Sequence, residues 1–154
     1  MKKILVVVIP IGICFLLGWI ASYFQADSVQ NWYPYLNKPA INPPSTIFPV
    51  AWSILYVCMG LSIGLLINSN SNRKPFFITL FSVQLLLNFA WSFLFFVFRN
   101  PLLGAIDIVL LAIVIIYYTL KVYPVSKISA YLFIPYILWV GFATYLNVYI
   151  LLHN

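Results

Sequence analysis

Amide and aromatic side chains recur along one face of a strongly apolar run, FFITLFSVQLLLNFAWSFLFFVF. Gln84 and Asn88 are four residues apart and therefore share a helical face, which Trp91 and Ser92 continue. Uncharged amides in hydrocarbon need hydrogen-bond partners. The face therefore either joins helices together or lines a cavity between them, and both interpretations fit the sequence.

Two further apolar runs repeat the four-residue spacing. They contain Trp52, Tyr56, Gly60 and Gly64 in one run and Pro135, Trp139, Ala143 and Asn147 in the other. The alternation of large and small side chains fits either close helix packing or a recess beside an aromatic wall. The GxxxG spacing of Gly60 and Gly64 permits close helix approach, within one chain or between two copies. Pro135 predicts a kink.

The side chains that usually carry catalysis are scarce, with two acidic residues, one histidine and two cysteines. His153 is penultimate, and Cys14 and Cys58 lie in apolar runs without metal-ligand spacing. We therefore expect no metal, no cofactor and no acid–base hydrolysis. Asp107 lies inside an apolar run and is a functional candidate by default. We favour a structural role for it, near a helix N-terminus or paired with Arg99.

The composition places these side chains in a membrane protein. Of 154 residues, 64% are hydrophobic and 6% are charged, whereas about 25% is typical of soluble domains. Five apolar segments each approach the roughly 20 residues that a bilayer requires. They cover about 4–24, 47–68, 76–98, 102–122 and 128–151. We predict an all-α membrane protein, a bundle of five transmembrane helices forming one domain over 1–154.

The distribution of basic residues predicts the orientation in the bilayer. Six basic residues collect on the side of the N-terminus and two on the other side; the six are Lys2, Lys3, Arg73, Lys74, Lys121 and Lys127, and the two are Lys38 and Arg99. The positive-inside rule therefore predicts a cytoplasmic N-terminus, with the C-terminus and the long first link outside. The formal charge of +6 then reflects topology, and we expect no nucleic-acid partner.

The link between the first two runs is long, about 25–46, and the proline-rich stretch WYPYLNKPAINPPSTIFPVAW at 32–52 covers its second part and the start of the second run. This stretch holds five of the ten prolines of the chain. Proline restricts the backbone and lowers the entropy lost when a segment becomes ordered. The composition therefore predicts a long structured loop rather than a flexible connection.

The order of these motifs resembles the translocator protein (TspO/MBR) family, the tryptophan-rich sensory proteins of bacteria and the peripheral benzodiazepine receptor of mitochondria. The resemblance rests on WYxxLxKPxxxPP at 32–44, QLxLNxAW at 84–91, YPVS at 123–126 and PYxxWxxFAxxxN at 135–147. Asp107 matches an acidic position of the family. The resemblance implies five tightly packed helices, often dimeric, and one ligand pocket covered by the first loop.

The resemblance also implies ligands: tetrapyrroles such as protoporphyrin, benzodiazepine-site drugs and, in animals, cholesterol. Carried over by position, the pocket residues are Trp32, Tyr33, Trp52, Tyr56, Asn88, Trp91, Ser92, Trp139, Ala143 and Leu146. Val148 stands at the tyrosine position of the animal cholesterol motif, and no Lys or Arg follows it. We therefore do not expect tight cholesterol binding, as suits a member from a bacterial cell membrane.

Three functions remain compatible with the residues and the resemblance, and a fourth, a purely structural membrane subunit, is disfavoured by the loop. The first is a receptor or sensor for porphyrins and related aromatic ligands, which we favour. The second is light- and oxygen-dependent degradation of bound protoporphyrin, in which Trp52 and Trp139 are the expected catalytic residues and no general acid or base is required. The third is a porphyrin or sterol transporter, although the chain has no evident inverted repeat.

Overall fold

The computed structural model describes the backbone of residues 2–154 and the side chains from Ile4 onward. Six α-helices lie within this range: α1 (Lys2–Asn31), α2 (Ile47–Ile67), α3 (Lys74–Ser92), α4 (Pro101–Val122), α5 (Lys127–Tyr131) and α6 (Ile134–His153). A 3₁₀ turn covers Tyr33–Tyr35 after α1, and α3 continues as a π-helix over Phe93–Val97. The described part of the chain contains no strand.

Five helical segments are long and apolar enough to cross a bilayer. They are Ile4–Asn31, Ile47–Ile67, Lys74–Val97, Pro101–Val122 and Lys127–His153. The predicted all-α bundle of five transmembrane helices is therefore confirmed.

The first helix extends beyond the apolar run that predicts it, because the polar residues 25–31 remain helical. A helix satisfies its own backbone hydrogen bonds, so α1 can continue past the hydrocarbon into a polar region. Within this extension the Asn31 side-chain amide donates a hydrogen bond of 2.8 Å to Asp27. The connection to α2 is consequently shorter than the sequence indicates, covering residues 32–46.

The helices pack around a common core, with the closest pairings between α1 and α2, α3 and α4, and α4 and α6. In contrast, α2 and α6 meet through large side chains. The ring of Trp52 on α2 lies 6.3 Å from that of Tyr136 on α6, and Phe48 lies 5.9 Å from Trp139. The seam between α2 and α6 is therefore filled by aromatic rings.

Gly60 and Gly64 of α2 serve packing within one chain. A Cβ atom at Gly60 would lie 2.6 Å from the Cα atom of Ile11, and one at Gly64 would lie 2.7 Å from the Cα atom of Val7. The α1 backbone therefore rests directly on the GxxxG stripe, which resolves the two alternatives for this motif. The stripe is covered and is not available as a surface between copies.

Pro135 follows an interruption of the last membrane segment, so the predicted irregularity occurs just before the proline and not as a bend inside one continuous helix. The last membrane segment breaks at Leu132 and Phe133, and Pro135 lies in the first turn of α6. A proline is accommodated there because its missing N–H would have no partner inside the helix. The Pro135 side chain is exposed, whereas Asn147 on the same predicted stripe is buried.

A buried hydrogen-bond network fixes the end of the bundle opposite the proline-rich loop. The Ser62 hydroxyl of α2 donates a hydrogen bond of 2.8 Å to the Ser129 carbonyl oxygen of α5. The same hydroxyl lies 3.2 Å from the Tyr118 hydroxyl of α4. The Ser126 side chain caps α5 by accepting a hydrogen bond from the Ser129 backbone N–H. These contacts join three helices below the aromatic seam.

Candidate ligand-binding site

The proline-rich loop is held by a lysine that binds its own backbone. The Nζ atom of Lys38 donates to the carbonyl oxygens of Tyr33 at 2.7 Å, Pro34 at 3.0 Å and Leu36 at 2.9 Å. The Tyr33 hydroxyl donates 2.9 Å to Asn42. Burial raises the pKa of the Tyr33 phenol and lowers the pKa of the Lys38 ammonium. Tyr33 therefore remains a neutral hydrogen-bond donor.

A second set of hydrogen bonds joins the loop to the end of α6. The Asn37 backbone N–H donates 2.8 Å to the Asn154 side-chain oxygen, and Asn154 Nδ2 donates to the carbonyl oxygens of Asn37 at 3.1 Å and Ile150 at 2.8 Å. One side-chain amide thus satisfies both backbone groups of Asn37. The loop is fastened over this end of the bundle.

Phe95 lies directly beneath the loop and joins three of the predicted site residues. Its ring centroid is 5.6 Å from Trp32 and 6.4 Å from Tyr33, and Trp91 stacks on it at 5.4 Å with 13° between the planes. Phe95 is only 2% exposed. The structure therefore brings Trp32, Tyr33 and Trp91 together through Phe95, which is not among the predicted site residues.

The π-helix explains why Phe95 and Phe96 point at the loop. A π-helical turn changes the direction of side chains relative to the α-helix before it and is frequent at functional sites. Both phenylalanines lie in this turn, and the Phe96 ring is 5.6 Å from Tyr33. The run FLFFV carries no sequence signal for a π-helix, so this feature could not be predicted.

Arg99 follows the π-helix with a left-handed backbone, φ 50°. Its guanidinium pairs with Asp27 at 2.6 Å and also donates 3.2 Å to the Ser28 hydroxyl, so it ties the polar end of α1 to the α3–α4 connection. The suggested ion pair between Arg99 and Asp107 is therefore wrong. α1 continues past the apolar run, which ends near residue 24, and this extension places Asp27 within reach of Arg99. The apolar run alone therefore could not predict this contact.

Asn147 joins α3, α4 and α6 next to Phe95. The Trp91 indole N–H donates 3.1 Å to Asn147 Oδ1, and Asn147 Nδ2 donates 2.9 Å to the Pro101 carbonyl oxygen. A Cβ atom at Gly104 would lie 2.9 Å from both Asn147 Oδ1 and the Phe95 ring. Only a glycine leaves enough room for this meeting of three helices.

Tyr136 links Asn88 to the aromatic residues of α2. Asn88 Nδ2 donates 3.0 Å to the Tyr136 hydroxyl, and the Tyr136 ring lies 6.3 Å from Trp52. Trp52 in turn lies 5.7 Å from Tyr56. Tyr136 is fully buried and was missed, although it precedes Trp139 by three residues and so shares its helical face.

The remaining predicted site residues flank these two groups. Trp139 is half-buried and contacts Phe48, which lies one turn before Trp52 on α2. Ala143 and Ser92 are half-buried, and Leu146 is 5% exposed. All the predicted residues lie in the loop or on α2, α3 and α6, and all are buried or half-buried.

The aromatic rings of the site lie against one another, with centroids 5.7 Å apart for Trp52 and Tyr56, 5.9 Å for Phe48 and Trp139, and 6.3 Å for Trp52 and Tyr136. Two surface depressions occur elsewhere, one of about 220 Å³ beside Trp19 and Tyr23 on α1 and one of about 180 Å³ between α1, α2 and α3 beside Pro10 and Ile63. Neither is lined by a predicted site residue. A ligand that inserts between the paired rings of α2 and α6 therefore has to separate them.

The residues that the structure describes include no group of three or more His, Cys, Asp or Glu side chains that could hold a metal ion. The donors of the site are instead amide, indole and phenol groups, such as Asn88, Trp91 and Tyr136. Such groups bind and orient aromatic ligands through stacking and single hydrogen bonds.

Five membrane-length helices around an aromatic seam define the chain as an integral membrane protein of the polytopic helical class. The model of the TspO/MBR family matches residues 10–153. The chain is 39% identical to the tryptophan-rich protein TspO of Chlorobaculum tepidum over 155 residues, covering 99% of this chain and 98% of that protein. It is also 39% identical to the tryptophan-rich protein TspO of Archaeoglobus fulgidus over 138 residues, 90% of each. The human translocator protein is 30% identical over 132 residues, covering 84% of this chain and 78% of that protein.

The chain therefore belongs to the TspO/MBR family, as its sequence motifs predicted.

Proposed function

We propose that the chain is a membrane receptor that binds porphyrins and similar flat aromatic molecules beneath the loop 32–46, in the region between α2, α3 and α6 that includes the aromatic seam. The observation that supports this most is the contact between α2 and α6 through paired rings, Phe48 with Trp139 and Trp52 with Tyr136. Rings that pack on each other can also pack on an inserted ligand, which gains stacking and buried apolar area.

Polar groups at the edges of the seam suit the recognition of ring nitrogens and carbonyl groups. Asn88 and Tyr136 form a buried donor–acceptor pair, and the Trp91 indole lies near the loop. A small number of such groups within an apolar site fixes the orientation of a ligand. The aromatic walls would supply affinity, and these three side chains would supply selectivity.

We further propose that the loop acts as the lid of this site and faces the outside of a bacterial cell membrane. The cations of the described inner end, Arg73, Lys74, Lys121 and Lys127, would then lie in the cytoplasm, as the positive-inside rule requires. A hydrophobic ligand would enter from the bilayer or beneath the loop. The site would therefore load from the outer half of the membrane.

A titration of protoporphyrin against tryptophan fluorescence in lipid nanodiscs tests this proposal. We expect Trp52→Phe and Trp139→Phe each to weaken binding by about threefold to tenfold, the range of one aromatic contact. Trp19→Phe is the matched control, because Trp19 is 69% exposed on the outer surface of α1. A flat titration of the wild-type protein, or equal effects of all three substitutions, contradicts the proposal.

Photo-oxidative degradation of bound protoporphyrin is a second candidate, supported by a series of oxidisable rings. Tyr56, Trp52 and Tyr136 follow one another at 5.7 and 6.3 Å. The porphyrin would absorb the light and molecular oxygen would be the oxidant. We expect a new tetrapyrrole product under aerobic illumination that Trp52→Phe and Trp139→Phe abolish. Bleaching no faster than that of free porphyrin argues against an activity of the protein.

The alternative of a porphyrin or sterol transporter has no comparable observation in its favour. A saturable flux of protoporphyrin into proteoliposomes would support transport. We also propose a homodimer, as the family resemblance implies, and its surface would exclude Gly60 and Gly64 because α1 covers them. Crosslinking in native membranes would measure this association.

A further inference from the structure

Asp107 presents a carboxyl oxygen that the protein itself does not satisfy. The residue is 6% exposed, and its Oδ2 atom is buried without a hydrogen-bond partner among the described residues. Buried polar atoms of native proteins are nearly always paired, and an unpaired one in a membrane interior is costly. The Oδ2 atom of Asp107 therefore requires a hydrogen-bond donor from outside the chain.

Neither structural role suggested by the sequence accounts for this carboxyl group. Arg99 pairs with Asp27 instead. The first turn of α4 contains no acidic residue, since the helix begins at Pro101 and Asp107 is six positions further. The helix dipole stabilises charges mainly within the first turn. Asp107 is thus neither a capping residue nor a member of an ion pair.

The register of the helices places Asp107 at the depth of the proposed site. Gly104, one turn before Asp107 on α4, lies against the Phe95 ring of α3 and the Asn147 side chain of α6. Both neighbouring helices run antiparallel to α4. Asp107 therefore lies one turn further from the loop than the contact of Gly104 with Phe95 and Asn147.

The residues at this depth on the flanking helices are predicted site residues. Ser92 on α3 lies one turn further from the loop than Phe95, and Ala143 on α6 lies one turn further from the loop than Asn147. Both are half-buried, and Ala143 packs against the core. Asp107 on α4 thus lies at the same depth as two positions that the resemblance assigns to the pocket, Ser92 on α3 and Ala143 on α6. The resemblance assigns no residue of α4 to the pocket.

We propose that Asp107 is a further ligand-contacting residue of this site, whose free carboxyl oxygen accepts a hydrogen bond from an N–H group or a protonated nitrogen of the ligand. The pyrrole N–H groups of a free-base porphyrin are donors of this class, and because their hydrogens point to the centre of the macrocycle, the carboxyl oxygen would accept from over its face. A hydrogen bond to a carboxyl group is stronger in a low-dielectric interior than in water. The inference rests on the proposed function and adds selectivity for aromatic ligands that carry an N–H donor.

Gln84 provides a matched contrast for the experiment. It is fully buried, and neither its Oε1 nor its Nε2 atom has a partner within the described part of the chain. It lies eight positions before Ser92 on α3, which is about two helical turns further from the loop. Like Asp107, Gln84 is buried and has side-chain atoms without a hydrogen-bond partner, but it lies further from the loop than the proposed site.

The test compares Asp107→Asn, Asp107→Leu and Gln84→Leu in nanodiscs, with free-base protoporphyrin and perylene as probes. Perylene is a flat hydrocarbon without a donor. We expect Asp107→Leu to weaken protoporphyrin binding at least about tenfold while perylene binding is unchanged. Asp107→Asn keeps an acceptor oxygen and the side-chain shape, so a smaller loss is expected. Gln84→Leu should leave the affinity for both probes unchanged.

The outcomes separate the inference from the proposed function. If the wild-type protein binds protoporphyrin and both Asp107 variants bind it equally well, Asp107 is not a ligand contact. Equal losses for protoporphyrin and perylene in the Asp107 variants indicate collapse of the site and also overturn the inference. Failure of the wild-type protein to bind protoporphyrin overturns the proposed function itself.

Discussion

The indole N–H of Trp91 donates a hydrogen bond of 3.1 Å to Asn147 Oδ1, across the interface between α3 and α6. The other end of the same amide donates 2.9 Å to the Pro101 carbonyl oxygen at the start of α4. Asn147 is 1% exposed. A single buried side chain thus satisfies polar groups from two other helices, and each of these groups needs a partner when it is buried.

Replacement of Asn147 by leucine should destabilise the bundle by about 2 kcal/mol, because it leaves the Trp91 indole N–H and the Pro101 carbonyl oxygen without their partner. Reversible unfolding in mixed detergent micelles measures the free energy. The double variant Trp91→Phe/Asn147→Leu should cost less than the sum of the single variants, since one shared bond is lost in both. Strict additivity would show that the hydrogen bond contributes nothing.

The helices themselves were predictable because a membrane-length apolar run is a local property of the sequence. The faces of α2, α3 and α6 were also predictable from four-residue spacing, and Trp52, Asn88 and Trp139 lie on them as expected. The spacing of Asn88 did not decide between joining helices and lining a cavity. The structure shows that it joins α3 to α6 through the Tyr136 hydroxyl.

The features that escaped prediction depend on contacts between distant parts of the chain. The partner of Gly60 and Gly64 is the backbone of α1, which no local pattern identifies. The π-helix that presents Phe95 is likewise a tertiary feature. Arg99 binds Asp27 because α1 continues as a polar helix, and hydropathy alone ends that helix too early.

Gly18→Ala should disturb the aromatic seam from the side that faces α1. An added Cβ atom at Gly18 on α1 would overlap the ring of Tyr56, which packs against Trp52. We expect a loss of about 1–3 kcal/mol from overpacking and a change in Trp52 fluorescence. The measurements are unfolding in detergent and the emission spectrum of a variant that retains Trp52 as its only tryptophan.

Gly12→Ala on the same helix is the matched control for this prediction. A Cβ atom at Gly12 would have nothing within 4 Å, so the substitution should be neutral or stabilise α1 by up to about 1 kcal/mol through helix propensity. Identical effects of the two substitutions would mean that α1 does not support the seam through Gly18.

Arg99 combines an exposed ion pair with a left-handed backbone, and two substitutions separate these contributions. Arg99→Ala loses the pair with Asp27 but keeps the φ of 50°, whereas Arg99→Gly loses the pair and removes the steric cost of about 1–2 kcal/mol. We expect glycine to be the more stable variant by about 1 kcal/mol, measured by unfolding in detergent. Equal stability of the two variants would mean that the connection relaxes to another backbone conformation.

The prolines of the loop should matter for ligand binding more than for assembly in the membrane. Pro39 is buried and Pro43 is half-buried, and the Asn42 side-chain amide donates a hydrogen bond to the Pro43 carbonyl oxygen. Pro39→Ala/Pro43→Ala should increase the entropy of the open loop by about 0.4–1 kcal/mol for each position. We therefore expect weaker protoporphyrin binding, by about fourfold or more, and faster backbone hydrogen exchange over 33–42.

Pro124→Ala is the control for this loop variant, since Pro124 is exposed in the short turn between α4 and α5 at the opposite end of the bundle. Membrane insertion, measured as the yield of protein in isolated membranes, should be the same for the wild-type protein and both variants, because the loop lies outside the five apolar spans. A parallel loss of insertion and binding in Pro39→Ala/Pro43→Ala alone would assign the loop to folding of the bundle. A loss of binding without a loss of insertion is the result expected of a lid, because only the closed loop holds Trp32 and Tyr33 over Phe95.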